Sequence, residues 1–286
     1  MRQCRVALPK PPLMENAGGD GGALSSIGLI QAIAERRLNM MKVLAQCGLV
    51  LLLAFGSLGA ASATDLEPLV AANFLLQSSG AQCSATLIHR VKRLVLTNYH
   101  CVENAISRNE REETQPDGTV KKITRVAYGS VDLFQHAYST SAIVGRVELR
   151  AEILGADAKR DLALLRILSE TTTLSAEVKL PPPGYKLKQG QEVYAVGNPL
   201  GLENTVSRGI INHLYREVRW EADRVAWFIQ TDAVIAAGSS GGALYSTEGY
   251  LVGVPSAGYR GAALNFAIPF TIIAQFLETL PVWTAP

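Results

Sequence analysis

From residue 81 onward the chain is a succession of brief apolar or alternating runs, each closed by turn-forming residues. CSATLIH, RLVLTN, RVAYGSVDLF, AIVGRVELRAEIL, LALLRIL, QEVYAVGN, TVSRGIIN, VAWFIQTDA, GYLVGVPSAG and ALNFAIPF follow one another with Gly, Asn, Asp and Pro between them. Many short strands in series with turn signals between them point to an all-β sandwich or barrel. Only the last stretch breaks the rule. After Pro269, the residues Ile272, Ile273, Phe276, Leu277 and Leu280 share one helical face, which predicts a C-terminal helix over 269–280.

The strands fall into two sets. The segment SETTTLSAEVKLPPPGYKLKQG is polar and carries three consecutive prolines. It places a linker at 171–186 between an N-terminal β half at about 65–170 and a C-terminal β half at about 187–268. A second insertion, SRNEREETQPDGTVKKITR, is highly charged and turns at Pro116-Asp117-Gly118. It reads as a solvated hairpin.

The first 63 residues are unlike the rest. Residues 1–40 contain PKPPLMENAGGDGG and have no sustained amphipathic period; they read as an over-extended start, because Met40 or Met41 is a natural beginning. Arg36, Arg37 and Lys42 then precede a charge-free run over 43–63 that ends in Ala61-Ser62-Ala63. This is the pattern of a signal peptide at 41–63, cleaved after Ala63. An uncleaved helical anchor is the alternative. Either way residues 64–286 lie outside the cytoplasm, periplasmic or secreted. The whole chain has a formal charge of +2 and residues 64–286 one of −1, too little for a nucleic-acid partner. Two of the four cysteines, Cys4 and Cys47, precede residue 64. Cys83 and Cys101 are left as an even pair in an oxidising compartment, where a disulfide is the default.

The chemistry gathers at Gly238-Ser239-Ser240-Gly241-Gly242, a serine among glycines. A nucleophilic serine needs a base to take its proton, and the base needs an acid to orient it. In an α/β-hydrolase the order is serine, acid, histidine, yet no histidine follows Ser240. The order histidine, aspartate, serine survives that test. His100 stands in LVLTNYHCV, where an apolar strand gives way to a turn, and Asp161 opens the strand of DAKRDLALLRI. His89, His136 and His213 read as surface or satisfied core residues, and Asp232 as structural.

These blocks resemble the trypsin/chymotrypsin superfamily, and within it the HtrA/Deg branch. The resemblance rests on Leu96-Thr97-Asn98-Tyr99-His100, Asp161-Leu162-Ala163-Leu164-Leu165, Gly197-Asn198-Pro199-Leu200-Gly201, Gln230-Thr231-Asp232-Ala233 and Phe266-Ala267-Ile268-Pro269, in that order. It implies two antiparallel β-barrels of the chymotrypsin-like kind, with the active site between them and a helix at the end. It implies a serine endopeptidase with His100 as base, Asp161 as its orienter, Ser240 as nucleophile, and the N–H groups of Gly238 and Ser240 as oxyanion hole. No cofactor and no metal are implied. The partners are protein or peptide substrates, with no membrane after signal cleavage, and the oligomeric state stays open.

The chain departs from the family in three places. Ala236, Ala237 and Ser239 replace the usual Pro and Asn residues before the nucleophile, which leaves the resting state of the oxyanion hole open. Cys83 and Cys101 match a pair typical of pancreatic-type proteases, so the resemblance also implies their disulfide. A zinc site from Cys83, His89, His100 and Cys101 is the rival, disfavoured because neighbours on extended backbone point to opposite faces. The chain stops about 46 residues after Ser240, so no C-terminal PDZ domain is expected. Val234 and Ile235 stand where the specificity pocket is expected, which predicts small or aliphatic residues at the cleaved position. The alternatives are a non-catalytic peptide-binding or chaperone-like protein on the same scaffold, and an esterase.

Overall fold

The computed structural model describes residues 65–117, 119–139, 142–170, 174, 176–221, 224–259 and 262–284. The expected signal peptide and the extension before it lie outside the described residues. The first strands are β1 (Asn73–Ser78), β2 (Ala81–His89) and β3 (Leu94–Thr97). A separate hairpin follows, made of β4 (Ile106–Thr114) and β5 (Val120–Tyr128), and then β6 (Ser130–Ser139), β7 (Ala142–Asp157) and β8 (Leu162–Ile167). The six strands other than the hairpin close an antiparallel barrel in the order β1-β2-β3-β8-β7-β6.

The second barrel is built from β9 (Glu192–Gly197), β10 (Thr205–Glu221), β11 (Arg224–Thr231), β12 (Ala243–Ser246), β13 (Leu251–Gly258) and β14 (Asn265–Pro269). It closes in the order β10-β11-β14-β13-β12-β9. Two closed antiparallel barrels are the fold that the strand pattern and the family blocks led us to expect. Closure removes every strand edge within each barrel. The charged insertion is the β4–β5 hairpin, exposed along nearly its whole length.

Strands β3 and β12 are buried at all four positions, with no alternation. A strand in a single solvated barrel would show one wet face. Here one face fills a barrel while the other meets the neighbouring barrel or a terminal segment, and the largest apolar cluster contains residues of both barrels. The ends of the chain cross over. The short helix Glu67–Ala71 precedes the first barrel but lies on the second, where the Tyr245 hydroxyl donates to the Leu69 carbonyl at 3.2 Å. Burial pushes the Tyr245 phenol up, so it stays a donor. The helix Phe270–Glu278 follows the second barrel and buries Ile273, Phe276 and Leu277, reaching β8 of the first, and a short helix, Pro281–Thr284, comes after it. Between these two helices, Leu280 lies so close to Gly155 of β7 that a Cβ there would come within 2.6 Å of it. Trp283 meets the ring of His89 edge-on.

Between the barrels there is also a buried polar network. Asn73, Ser84 and Asn198 are completely buried. Asn198 Nδ2 donates to the Phe74 carbonyl (2.7 Å), Asn73 Oδ1 (3.0 Å) and Ser84 Oγ (3.0 Å), and its Oδ1 accepts the Asn204 N–H (2.9 Å). Buried amides are tolerated only when so satisfied, and each partner left unmade costs about 1–3 kcal/mol. Replacing Asn198 by Ala is therefore expected to lower stability by about 3–5 kcal/mol, read as a fall in the denaturation midpoint at constant slope. A loss below about 1 kcal/mol would show that this network contributes little.

Candidate active site

Strand β3 ends at Thr97, and the chain turns through Asn98, Tyr99, His100 and Cys101. The Asn98 side chain, fully buried, donates to the Asp161 carbonyl at 2.9 Å and ties this turn to the one before β8. That second turn is wound around Asp157, whose Oδ1 accepts the N–H groups of Lys159 (2.8 Å) and Arg160 (3.0 Å). Burial pushes the Asp157 carboxyl up, but the Arg160 backbone and guanidinium and the Lys159 N–H together hold it below the usual carboxylate value. The turn delivers Asp161 at φ +55°, a left-handed conformation that costs a non-glycine residue about 1 kcal/mol.

Asp161 is saturated with donors. Its Oδ1 accepts the His100 backbone N–H at 3.0 Å, and its two oxygens lie 3.0 and 2.9 Å from His100 Nδ1. The Ser256 hydroxyl donates to Oδ2 at 2.7 Å. An imidazole so held keeps its proton on Nδ1, which leaves Nε2 as the basic nitrogen.

Ser240 lies in the tight loop between β11 and β12. The Ser239 N–H donates to the Ala236 carbonyl (2.9 Å), and the Gly242 N–H to the Ser239 carbonyl (3.0 Å). Gly238 and Gly241 have φ of +98° and +82°, and space as well as conformation requires glycine. A Cβ on Gly241 would lie 2.2 Å from the Ser84 carbonyl; one on Gly238, 2.6 Å from the Asn198 carbonyl. The Ser240 hydroxyl donates to the Ser256 carbonyl at 3.4 Å. His100 and Asp161 thus bond directly, and Ser240 joins them through Ser256.

The loop is bolted to the first barrel. The Ser84 N–H donates to the Ser240 carbonyl at 2.7 Å, and the Ser84 hydroxyl to the Gly238 carbonyl at 2.8 Å. On its other side, the Ala237 carbonyl accepts the Leu200 N–H at 2.7 Å. In a trans peptide C=O and N–H point in opposite directions, so this bond turns the Gly238 N–H away from Leu200. Among the described residues neither the Gly238 nor the Ser240 N–H has an acceptor.

Cys83 and Cys101 are joined, with their Cα atoms 5.9 Å apart. The segment around His100 is a turn and not the extended backbone expected, so the ligand atoms of Cys83, His100 and Cys101 lie within 4.8 Å of one another. Zinc is disfavoured because both sulfurs are used in the disulfide, not because the side chains diverge. His89 and His213 accept from the N–H groups of Lys92 and Tyr215, and His136 pairs with Glu203.

Two cavities meet at Ser256 and Ala257, which line both. One of about 340 Å³ lies beside His100 and Asp161 and is floored by Ala226, Phe228 and Ala257. The other, of about 660 Å³, lies beside Ser240 and is walled by Leu200, Val234, Ile235, Ala236, Ala237 and Tyr259. Asp232 also reaches this wall, with its Oδ1 accepting the Ile210 N–H at 2.7 Å. Ser84, Leu200 and Ser256 had no role in the sequence reading, since their bonds join residues far apart in the chain. Leu200 alone lies in one of the stretches that carry the family resemblance, Gly197-Asn198-Pro199-Leu200-Gly201.

The sequence model of the family described as Trypsin-like peptidase domain matches residues 79–254. A protein named probable periplasmic serine endoprotease DegP-like, from Halomonas elongata, is 37% identical over 142 residues, 46% of this chain and 28% of that one. Protease Do-like 8, chloroplastic, from Arabidopsis thaliana is 30% identical over 191 residues, 65% of this chain and 38% of that one. The chain thus spans less than half the length of these relatives. The crystal structure of the serine endoprotease from Yersinia pestis shares the fold at a TM-score of 0.53 and 23% identity, over 75% of this chain and 64% of that one.

Replacing Cys83 and Cys101 together by Ser is expected to cost about 3 kcal/mol of stability in the chain-entropy account. Amide exchange at His100, whose N–H is held by Asp161, is expected to quicken. An unchanged denaturation midpoint would show that the turn is braced by its hydrogen bonds alone.

Proposed function

Since the chain belongs to the trypsin-like peptidase domain family, we propose that it is a serine endopeptidase hydrolysing unfolded or exposed protein segments. The observation that carries this reading is the contact of His100 with Asp161, whose carboxylate fixes the imidazole through both ring and backbone N–H. His100 Nε2 takes the Ser240 proton as the hydroxyl swings from the Ser256 carbonyl to attack the substrate carbonyl carbon. The negative charge that develops on the carbonyl oxygen is met by the N–H groups of Gly238 and Ser240, donors of the kind worth ~3–4 kcal/mol each in the transition state. The imidazolium returns its proton to the leaving amine, the C–N bond breaks, and an ester to Ser240 remains. Water, deprotonated by the same nitrogen, releases the acid and restores the serine.

The cavity beside Ser240 is the proposed specificity pocket. Val234, Ile235, Ala236 and Ala237 give it aliphatic walls, which favours small or aliphatic residues at the cleaved position. Asp232 does not reverse this, because its carboxylate already accepts a backbone N–H. The catalytic unit is residues 64–286, with its halves joined at 171–186. It works in the periplasm or outside the cell, which agrees with the Cys83–Cys101 disulfide and with the word periplasmic in the relative's name. Its partners are protein substrates.

The purified protein is expected to cut reduced casein, and Ser240→Ala to lose about a thousandfold or more of that activity. Fragment termini should then carry Val, Ala or similar residues at the cleaved position; prompt cleavage after Arg or Lys overturns the pocket assignment. If wild type neither cuts casein nor reacts with a fluorophosphonate, the non-catalytic peptide-binding reading takes its place. Removing one of Asp161's donors in Ser256→Ala is expected to lower kcat/KM by about tenfold. An unchanged value would mean that the His100 contact alone orients the pair.

A further inference from the structure

One carboxylate away from the serine is held between the two barrels. Glu203 stands in the turn 198–204 that leads from β9 into β10, and its side chain is only 9% exposed. Its Oε1 lies 2.9 Å from Arg146 Nη2 of β7, and its Oε2 lies 3.4 Å from His136 Nε2 of β6. Both partners belong to the first barrel. Arg146 is itself fixed over the ring of Phe134, 4.1 Å from its centre. A carboxylate this deeply placed needs paired oxygens, and pairing it across the barrels sets the position of the turn that carries it.

That turn needs an external hold. Leu200, Gly201 and Asn204 have φ of +54°, +78° and +59°, and left-handed backbone at Leu200 and Asn204 persists only where the surroundings impose it. Leu200 supplies the N–H that binds the Ala237 carbonyl and so aims the Gly238 N–H.

We infer that Glu203 is a positioning residue for the oxyanion hole. Its clamp on Arg146 and His136 fixes the 198–204 turn against the first barrel, and the turn fixes the Ala237–Gly238 peptide through Leu200. The inference rests on the hydrolase reading above. Without the clamp the turn keeps its inner anchor, the Asn198 Oδ1 that accepts the Asn204 N–H, so it loosens around Leu200 without the domain unfolding.

The test compares the full chain with Glu203→Gln and Arg146→Ala, using a Val-terminated peptide anilide and the matching peptide boronate. The expected result is a kcat lowered about 10- to 100-fold with KM within about threefold. The boronate, which forms a tetrahedral adduct on Ser240, is expected to bind more weakly in step with the loss of kcat/KM. A merely structural role would instead lower the folded fraction and leave the kcat of the folded molecules intact. Arg146 is half-exposed, and its variant decides the matter if Glu203→Gln folds poorly. A kcat within about twofold of wild type, or a loss confined to KM, overturns the clamp while leaving the hydrolase reading in place. A wild type that neither cuts the anilide nor takes a fluorophosphonate overturns that reading, and this inference with it.

Discussion

The hydroxyl of Ser84 accepts the Asn198 N–H at 2.8 Å and donates to the Gly238 carbonyl at 2.8 Å, completely removed from water. It is a residue of the first barrel holding two loops of the second. Its neighbour Cys83 holds Cys101, one residue from His100. Two consecutive positions of β2 therefore connect to the base-bearing turn and to the serine-bearing loop. That short piece of strand ties the position of the His100 turn to that of the Ser240 loop. Hydrogen bonds serve this purpose because they are directional, weakening steeply as the angle opens, whereas apolar contacts have no preferred direction.

The site is framed by backbone conformations that its surroundings impose. Asp161, Leu200 and Asn204 are all left-handed without being glycine. Two are held from another part of the molecule, Asp161 through Asn98 and Leu200 through Ala237, while Asn204 is held within its own turn by Asn198. The strain is local, and the bonds that offset it are the ones that set the geometry of the cleft.

The fold was legible because its signals are local. Short runs with turn residues between them mark strands wherever they close, and the glycines around Ser240 announce a loop too tight for a Cβ. His100 and Asp161 were readable because each begins or ends an apolar strand. RVAYGSVDLF reads as a single strand, but the structure breaks it at Gly129, whose N–H donates to the Ala105 carbonyl at 2.8 Å and whose missing Cβ makes room for that approach. Nothing in the run itself predicts Ala105. The same holds for Ser84, Ser256 and Glu203. Their partners lie far away in the chain, and a single serine or glutamate has no periodicity to betray it.

The crossing of the chain ends bears on how the domain comes apart. The segment before the first barrel lies on the second, through Leu69 and Tyr245, and the segment after the second lies on the first, through Leu280 and Trp283. Each barrel is thus covered by residues that belong, in chain order, to the other. Opening one uncovers apolar surface on both. Two barrels in outline, the domain is expected to melt as a single thermodynamic unit, because neither barrel keeps its cover when the other opens.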